Sequence, residues 1–377
     1  MKAVRAASAW LLLISTSALC LGVLEASLRA FLPAHPLDGA DPPARYHTLR
    51  YAESPVSRHA LVASPLDVDT RDGRHYHVNS KGYRGDEFTW SKAQGVLRIL
   101  VYGGSAAFDI YQGEGQDWPA RVERILVERG VAAEVINAGI PGHASFDSVG
   151  RLLAEGHRLD PDFVLFYHAW NDLKYFHDPT PVLRQVRPLR VVESVWRPQG
   201  RLDAALGARS HLYRHLRIRF LRWDRELGAE GHLPPRALSD EFAPEQVRQF
   251  SLAVATFVDL VRNIGAVPVL VAQPLLVASD LSDEERSMIR YEYLGLTHDA
   301  LVEAYAAADR AVHEVGRAKH AALIDASAEM TGRSVYFRDG VHLSDQGSRA
   351  LAVLVGRQLL GMIEASKTAA VARHDSP

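Results

Sequence analysis

Five short apolar segments constrain the fold of this 377-residue chain more than any other feature. They alternate with helix-like stretches and run from Leu97 to Tyr102, Ala133 to Asn137, Phe163 to His168, Val267 to Ala272 and Ala322 to Ile324. Uninterrupted apolar strands that alternate with helices are typical of a parallel sheet covered by helices on both faces. The sequence therefore predicts a three-layer α/β fold with a ligand crevice beyond the carboxyl ends of the strands.

Composition excludes several functional classes. A formal net charge of -2 provides no broad basic surface for nucleic acid, so we expect no nucleic-acid partner. The single cysteine, Cys20, permits neither a disulfide framework nor a cysteine-based zinc site. His75 and His77 lack a third ligand at a recognisable spacing, and no glycine-rich nucleotide-binding motif is present. We therefore expect no metal and no cofactor.

The N-terminal segment resembles a membrane anchor. Lys2 and Arg5 precede an uncharged, mostly apolar stretch from Ala6 to Leu24, which is long enough to span a bilayer as a helix. This pattern predicts a transmembrane anchor within residues 1–32, with the rest of the chain on the extracytoplasmic side. A cleaved signal peptide is the alternative. Leu19 precedes Cys20, which argues against lipoprotein processing.

The remaining chain divides into three predicted regions, the second of which contains an insert. Residues 33–74 are rich in proline, histidine and arginine without periodicity, which indicates a linker or wrapping arm. Residues 75–365 contain the predicted strands and form the expected domain, which is interrupted by an insert at about 173–244. Residues 366–377 are predicted to be a disordered tail.

The insert carries a local positive charge. Between Arg184 and Arg225 the chain has eleven arginines and three acidic residues. Apolar side chains at helical spacing predict an amphipathic helix, and they are Leu212, Leu216, Phe220, Trp223 and Leu227. A solvated face is one interpretation. Contact with anionic glycan or lipid headgroups is the other.

Polar residues and glycines follow three of the predicted strands. Ser105 stands after Gly103 and Gly104 at a strand-to-helix turn, where a nucleophile would face the crevice near a helix N-terminus. After the next two strands, the Gly139 backbone N–H and the Asn171 side-chain amide are candidate oxyanion donors.

Near the C-terminus, Asp339 precedes His342 by three residues. On one short loop, the carboxylate would orient the imidazole and stabilise its cation. A loop with incidental polar residues is the alternative interpretation of this pair.

In these motifs the chain resembles the SGNH/GDSL hydrolase family. The family pattern of serine, glycine, asparagine and Asp-x-x-His is matched in order by Ser105, Gly139, Asn171 and Asp339 with His342. The resemblance implies a flavodoxin-like three-layer fold. The chain departs from the family pattern in its serine motif, which reads Gly-Gly-Ser instead of Gly-Asp-Ser. This variant is similar to that of membrane-anchored, polysaccharide-associated members.

Two further features concern the surroundings of these motifs. Asp109 stands where a glycine is common in the family. The segment Val78 to Gly85 looks like a lead-in found in anchored relatives, and the sequence gives it no catalytic role.

The resemblance implies a serine esterase. His342 would take the Ser105 proton while Asp339 orients the ring, and Ser105, Gly139 and Asn171 would hold the oxyanion. The expected substrate is an acylated cell-envelope carbohydrate or another ester. Two alternatives remain open at this point, an O-acyltransferase that acts on extracytoplasmic polysaccharide and a catalytically silent polysaccharide-binding module.

Overall fold

The computed structural model describes residues 2–31, 49, 51–52, 54–69, 74–185 and 237–374, with short stretches between 202 and 217. The chain divides into two compact units. The smaller comprises Met1–His47 and Arg190–Pro235, and the larger comprises Thr48–Leu189 and Arg236–Pro377.

The described N-terminal part of the smaller unit is one helix, α1 (Lys2–Phe31). Near its end the guanidinium of Arg29 lies 2.7 Å from the carboxylate of Glu25. The same carboxylate accepts hydrogen bonds from the Ser210 hydroxyl at 2.8 Å and from the next two backbone N–H groups at 2.9 Å each. Glu25 therefore ties α1 to residues 210–212 of its own unit.

The expected transmembrane segment is not found in the described part of the chain. Among the described residues, no helix is both long enough and apolar enough to cross a membrane. The described residues do not show the anchor predicted at 1–32, and the extracytoplasmic location stays a prediction.

Most of the Arg184–Arg225 segment lies outside the described residues. Arg184 belongs to a short helix, α6 (Val182–Gln185), and residues 186–201 and 218–236 are not described. Of the predicted amphipathic helix, Phe220, Trp223 and Leu227 fall in this undescribed part. The contact with anionic glycan or lipid stays a prediction.

The larger unit contains a five-stranded parallel sheet, as predicted. Its strands are β5 (Leu97–Gly103), β6 (Ala133–Asn137), β7 (Phe163–Tyr167), β8 (Val267–Val271) and β9 (Ala322–Ile324). Two antiparallel strand pairs precede the sheet: β1 (Tyr51–Ala52) with β2 (Ala60–Leu61), and β3 (Leu66–Asp69) with β4 (His75–Val78). Every residue of β7 is buried, which explains why its sequence shows no alternation of apolar and polar side chains.

The order of the strands in the sheet indicates where the predicted ligand crevice lies. In space the strands run β6-β5-β7-β8-β9. The chain thus moves outward on one side of β5, returns, and continues on the other side, which is the doubly wound order expected of a flavodoxin-like fold. The direction of winding reverses between β5 and β7. Ligands of such sheets bind at this switch point, beyond the carboxyl ends of the two strands.

Helices pack against the sheet in two groups. The helices of the larger unit, besides α6, are α2 (Ser105–Phe108), α3 (Trp118–Glu128), α4 (Ser145–Glu155), α5 (Trp170–Leu173), α7 (Pro244–Asn263), α8 (Asp283–Ser287), α9 (Tyr291–Leu294), α10 (His298–Ala318), α11 (Ala326–Met330) and α12 (Asp345–His374). α3 packs against α12, whereas α4 and α10 pack against α7. These two groups form the layers on either side of the sheet.

α7 shows how the sequence specifies these helices. It begins at Pro244, where the fixed φ and the missing N–H of proline suit a first helical turn. Its buried apolar residues recur every three or four positions, at Phe250, Val254, Phe257 and Val261. This spacing buries one face against the sheet and leaves the opposite face to solvent.

The last helix, α12, extends into the segment that the sequence predicts to be a disordered tail. α12 continues from Asp345 to His374, through nearly all of the segment at 366–377. Residues 367–374 are rich in alanine, which has the highest intrinsic helix propensity and favours continuation of a helix that is already formed.

His168, directly after β7, makes stability depend on pH. Burial lowers its pKa from 6.5 to about 3, and its Nε2 lies 2.8 Å from the Ser148 hydroxyl. Below pH 6.5 the unfolded chain binds a proton that the folded chain does not, so acidification favours unfolding. Between pH 7 and 5 we expect this residue to reduce the free energy of unfolding by about 2 kcal/mol.

Urea unfolding of a His168→Gln variant at both pH values tests this expectation. Glutamine places an amide near the position of Nε2 but does not titrate, so the pH dependence should decrease by that amount. His157→Gln, at an exposed position, is the control and should behave like the wild type. An unchanged pH dependence in His168→Gln would show that the residue is protonated in the folded state.

Candidate functional site

Ser105 stands where β5 turns into α2. Because the serine is the first residue of α2, its backbone N–H has no acceptor within the helix. A side chain at Gly104 would collide with the amide nitrogen of Asn171 and approach the carbonyl oxygen of His143 to 2.9 Å. Glycine in the Gly-Gly-Ser variant therefore leaves the space that Asn171 occupies beside Ser105.

The structure brings Ser105, His342 and Asp339 together. The Ser105 Oγ lies 2.7 Å from Nε2 of His342, and Nδ1 of the same ring lies 2.7 Å from Oδ2 of Asp339. A carboxylate can only accept, so Nδ1 donates to it, and Nε2 of the neutral ring accepts from the serine hydroxyl. Ser105 and His342 are both buried. This geometry allows the imidazole to take the serine proton.

The Asp339 carboxylate is fixed by its own loop. Its Oδ1 accepts the backbone N–H groups of Val341 at 2.9 Å and His342 at 2.8 Å. Burial alone would raise the pKa of Asp339, but the interactions with His342 and these N–H groups lower it below its usual range. The side chain therefore stays ionised and can stabilise an imidazolium.

Asn171 is held at both ends of its amide. Its Nδ2 donates to the backbone carbonyl of His143 at 2.8 Å, and its Oδ1 accepts the hydroxyl of Tyr293 at 2.7 Å. The Tyr293 ring stacks on Trp170, with 6.3 Å between centroids and 12° between planes. One N–H of the amide is thus engaged by His143, and the second is available for another acceptor. Sequence reasoning did not find Tyr293, which follows no strand and belongs to no motif.

Gly139 occupies the expected position, but its N–H is already engaged. The N–H donates to the side-chain oxygen of Asn137 at 3.0 Å, so it is not a free donor for an oxyanion. A side chain at Gly139 would collide with the backbone nitrogen of Phe108, at the end of α2. Glycine is needed here because two backbone segments approach each other closely. In this structure the Gly139 N–H thus bonds to Asn137, and its role as an oxyanion donor stays a prediction.

Two ionisable groups next to Asn171 titrate near neutral pH. Burial raises the pKa of Asp172 to about 7, although the Ser145 hydroxyl and N–H donate to its carboxylate. Burial and, secondly, the charge of Arg58 lower the pKa of Lys174 to about 7. Its Nζ lies 3.4 Å from the Tyr293 hydroxyl.

Arg84, from the Val78–Gly85 lead-in, holds the loop that follows α2. Its buried guanidinium donates to four backbone carbonyls at 2.6 to 3.0 Å, those of Phe108, Asp109, Gln112 and Gly113. A buried carbonyl without a donor is costly, so one arginine stabilises the whole turn. The lead-in to which sequence reasoning gave no catalytic role therefore supports the segment that carries Ser105.

The backbone conformation of Asp109 explains why glycine is common at this position in the family. Its φ is +57°, in the left-handed region that favours glycine. Its carboxyl group compensates by accepting the backbone N–H of Trp118 at 3.0 Å and the hydroxyl of Ser348 at 2.6 Å. Burial raises the pKa of this carboxyl to about 7. Asp109 thus ties the end of α2 to α3 and α12.

An α/β fold with a hydrogen-bonded serine, histidine and carboxylate at its carboxyl edge is typical of serine hydrolases. Residues 100–350 match the GDSL-like Lipase/Acylhydrolase family, and the match includes every candidate site residue named from the sequence. The chain belongs to this family, and it is an ester-hydrolysing enzyme.

Solved structures similar to this chain include members of the same class. The lipase/acylhydrolase from Enterococcus faecalis is 18% identical with a TM-score of 0.41, and the alignment covers 71% of this chain and 96% of that one. TesA is 16% identical with a TM-score of 0.41, covering 70% and 97%. The acetyl xylan esterase AlAXEase is 15% identical with a TM-score of 0.40, covering 69% and 98%. No curated protein sequence matches the chain.

The Tyr293 hydroxyl orients Asn171 in this geometry. Removal of that hydroxyl should therefore lower the rate of ester hydrolysis. Tyr293→Phe deletes one neutral hydrogen bond, so we expect kcat/KM to fall about 2- to 10-fold. Tyr291→Phe is the matched control, because it lies on the same helix and its hydroxyl lies 2.9 Å from His298 Nδ1 instead. Steady-state kinetics on a chromogenic ester measure both variants.

A double-mutant cycle separates orientation of Asn171 from a general loss of structure. If Tyr293 acts through Asn171, Tyr293→Phe should cause no further loss in an Asn171→Ala background. Equal losses in both backgrounds would show that Tyr293 acts independently of the amide.

Proposed function

We propose that this enzyme is a serine carboxylic-ester hydrolase that removes acyl groups from a cell-envelope carbohydrate or a small ester. One observation carries the proposal, the continuous hydrogen-bonded chain from Ser105 Oγ through His342 to Asp339, with both steps at 2.7 Å. A silent binding module would have no need to keep a serine hydroxyl aligned on a buried imidazole whose other nitrogen meets a carboxylate.

The mechanism has two halves. His342 Nε2 removes the Ser105 hydroxyl proton while Oγ attacks the ester carbonyl carbon, and the C=O electron pair moves onto oxygen. When the tetrahedral intermediate collapses, the C–O bond to the alcohol breaks, and His342 returns the proton to that alcohol. Water then attacks the acyl-enzyme in the same way, releasing the acid and restoring Ser105.

Two donors support stabilisation of the oxyanion. The backbone N–H of Ser105 lies in the first turn of α2 without an intrahelical partner. The second N–H of Asn171 is directed by the two contacts that hold its amide. Gly139 contributes by allowing the close approach of α2 rather than by donating, since its N–H bonds to Asn137.

Aromatic side chains support a carbohydrate substrate. The ring of Tyr111 meets His342 edge-on, with centroids 5.3 Å apart, and Tyr293 lies partly exposed on Trp170. Flat aromatic faces near a nucleophile suit the apolar faces of sugar rings.

Substitution of the proposed nucleophile and base tests the mechanism. Ser105→Ala and His342→Ala should each reduce turnover of a chromogenic acetyl ester by about a million-fold, and the double variant should be hardly worse. Asn171→Ala should lose about a hundred- to a thousand-fold, because one oxyanion donor is removed. A fluorophosphonate probe should label Ser105 in the wild type and fail on Ser105→Ala.

Ser366→Ala, at an exposed position on α12, is the matched serine control. Circular dichroism verifies that each variant is folded. Full esterase activity in Ser105→Ala, or labelling at another serine, would disprove the mechanism. A parallel assay with a sugar acceptor measures free acetate and acetylated sugar, and formation of acetylated sugar in place of acetate would identify acyl transfer rather than hydrolysis.

A further inference from the structure

A segment upstream of the family match packs against the loop next to the candidate site. We call residues 54–61 the arm. The arm precedes residue 100, where the match to the family begins. It lies against residues 141–147, which comprise the end of the loop after β6 and the first turn of α4 and which we call the loop 141–147. In the described part of the predicted linker or wrapping arm at 33–74, residues 58 and 59 make buried polar contacts.

Arg58 makes the most extensive contact. Its side chain bonds the Asp147 carboxylate through Nε at 2.9 Å and Nη2 at 2.6 Å, and its backbone N–H donates to the same carboxylate at 2.8 Å. Nη2 also donates to the carbonyl of Gly142. Both charged side chains are almost fully buried, at 5% and 0% exposure. Loss of one partner from a buried ion pair strongly destabilises the folded protein. This contact therefore fixes the arm on the loop.

His59 and His143 form a reciprocal contact. The His59 Nε2 lies 2.9 Å from the carbonyl oxygen of Pro141, and the His143 Nε2 lies 2.8 Å from the carbonyl oxygen of His59. Their rings meet edge to face with centroids 4.7 Å apart. The arm therefore holds the loop at Pro141, Gly142 and His143 in succession.

The loop in turn sets the position of Asn171. The carbonyl of His143 accepts the Asn171 amide at 2.8 Å. The residue after His143 is also fixed, because the Ala144 N–H donates to Asp147 at 2.9 Å. The peptide group between positions 143 and 144 is thus held by Asp147, which Arg58 holds, and by the His143 ring, which His59 holds.

We propose that the arm is a positioning element for the oxyanion site. Arg58 and His59 fix the loop 141–147, and the His143 carbonyl of that loop orients the Asn171 amide toward the oxyanion. The inference rests on the proposed function of Ser105 and Asn171. The arm residues are not placed at the reacting atoms, so they act through Asn171 and are not catalytic residues.

Gly150 offers a substitution that disturbs the arm without changing any of these contact residues. It lies on α4, and a side chain there would collide with the backbone carbonyl of Val56 in the arm. Gly150→Ala should therefore displace the arm. Gly361→Ala is the matched control, because Gly361 lies on α12 and, apart from the adjacent residues and the backbone of its own helix, no described atom lies within 4 Å of the added carbon. Both changes raise helix propensity by a similar amount.

Full-chain variants are compared by steady-state kinetics at a temperature at which circular dichroism shows each to be folded. We expect Gly150→Ala to lower kcat about a hundred-fold, with a smaller effect on KM, since small displacements of an aligned group have losses of this size. Gly361→Ala should keep the wild-type kcat. In an Asn171→Ala background, Gly150→Ala should cause no further loss in kcat, because the group through which the arm acts is absent.

Arg58→Lys provides a second test in case Gly150→Ala does not fold. Lysine keeps the positive charge opposite Asp147, but it lacks the planar guanidinium that lets arginine bond Asp147 and Gly142 at the same time. We therefore expect a smaller loss of kcat than in Gly150→Ala. This loss should also disappear in the Asn171→Ala background. A wild-type kcat in the folded variants, or an equal loss in the Asn171→Ala background, would overturn the inference. Absence of Ser105-dependent esterase activity in the wild type would instead overturn the proposed function.

Discussion

Close approach of backbone segments at the carboxyl ends of β5, β6 and β7 is the constraint on which the site depends. Neighbouring parallel strands end at one edge of the sheet, so the turns that follow them converge at the switch point. Side chains larger than hydrogen at Gly104 and Gly139 would collide with Asn171 and with the backbone of Phe108. The turns that form the site therefore have no room for a side chain at these two glycines. Ser105 and Asn171 occupy the remaining space.

Such turns bury polar backbone groups that need partners. In this chain, arginines from N-terminal segments supply many of them: Arg84 donates to four carbonyls after α2, and Arg58 holds the loop that follows β6. A planar guanidinium with five donors suits this task, since one side chain satisfies several acceptors along a curved segment. Residues that precede the family match thus belong to the same packed unit as the site.

Local patterns predicted much of this molecule. The strands were found because each is a short, mainly apolar run rich in residues that favour strands, and Asp339 with His342 was found because both stand on one loop. Contacts between distant segments leave no local signature. The Tyr293 hydroxyl on Asn171, and Arg58 on Asp147, join residues 122 and 89 positions apart. The contact between the Gly139 N–H and Asn137 was missed for a related reason, because nothing in the sequence of that turn shows that the Asn137 side chain reaches the N–H.

The serine and its base are separated by 237 positions, whereas the base and its carboxylate are separated by three. During synthesis the nucleophile, the asparagine and all five strands of the sheet emerge from the ribosome before the imidazole does. Under the proposed mechanism, a nascent chain therefore carries a serine with no group to deprotonate it. Under the same mechanism, premature termination anywhere before residue 342 yields a product that is hydrolytically inert, however completely its sheet has formed.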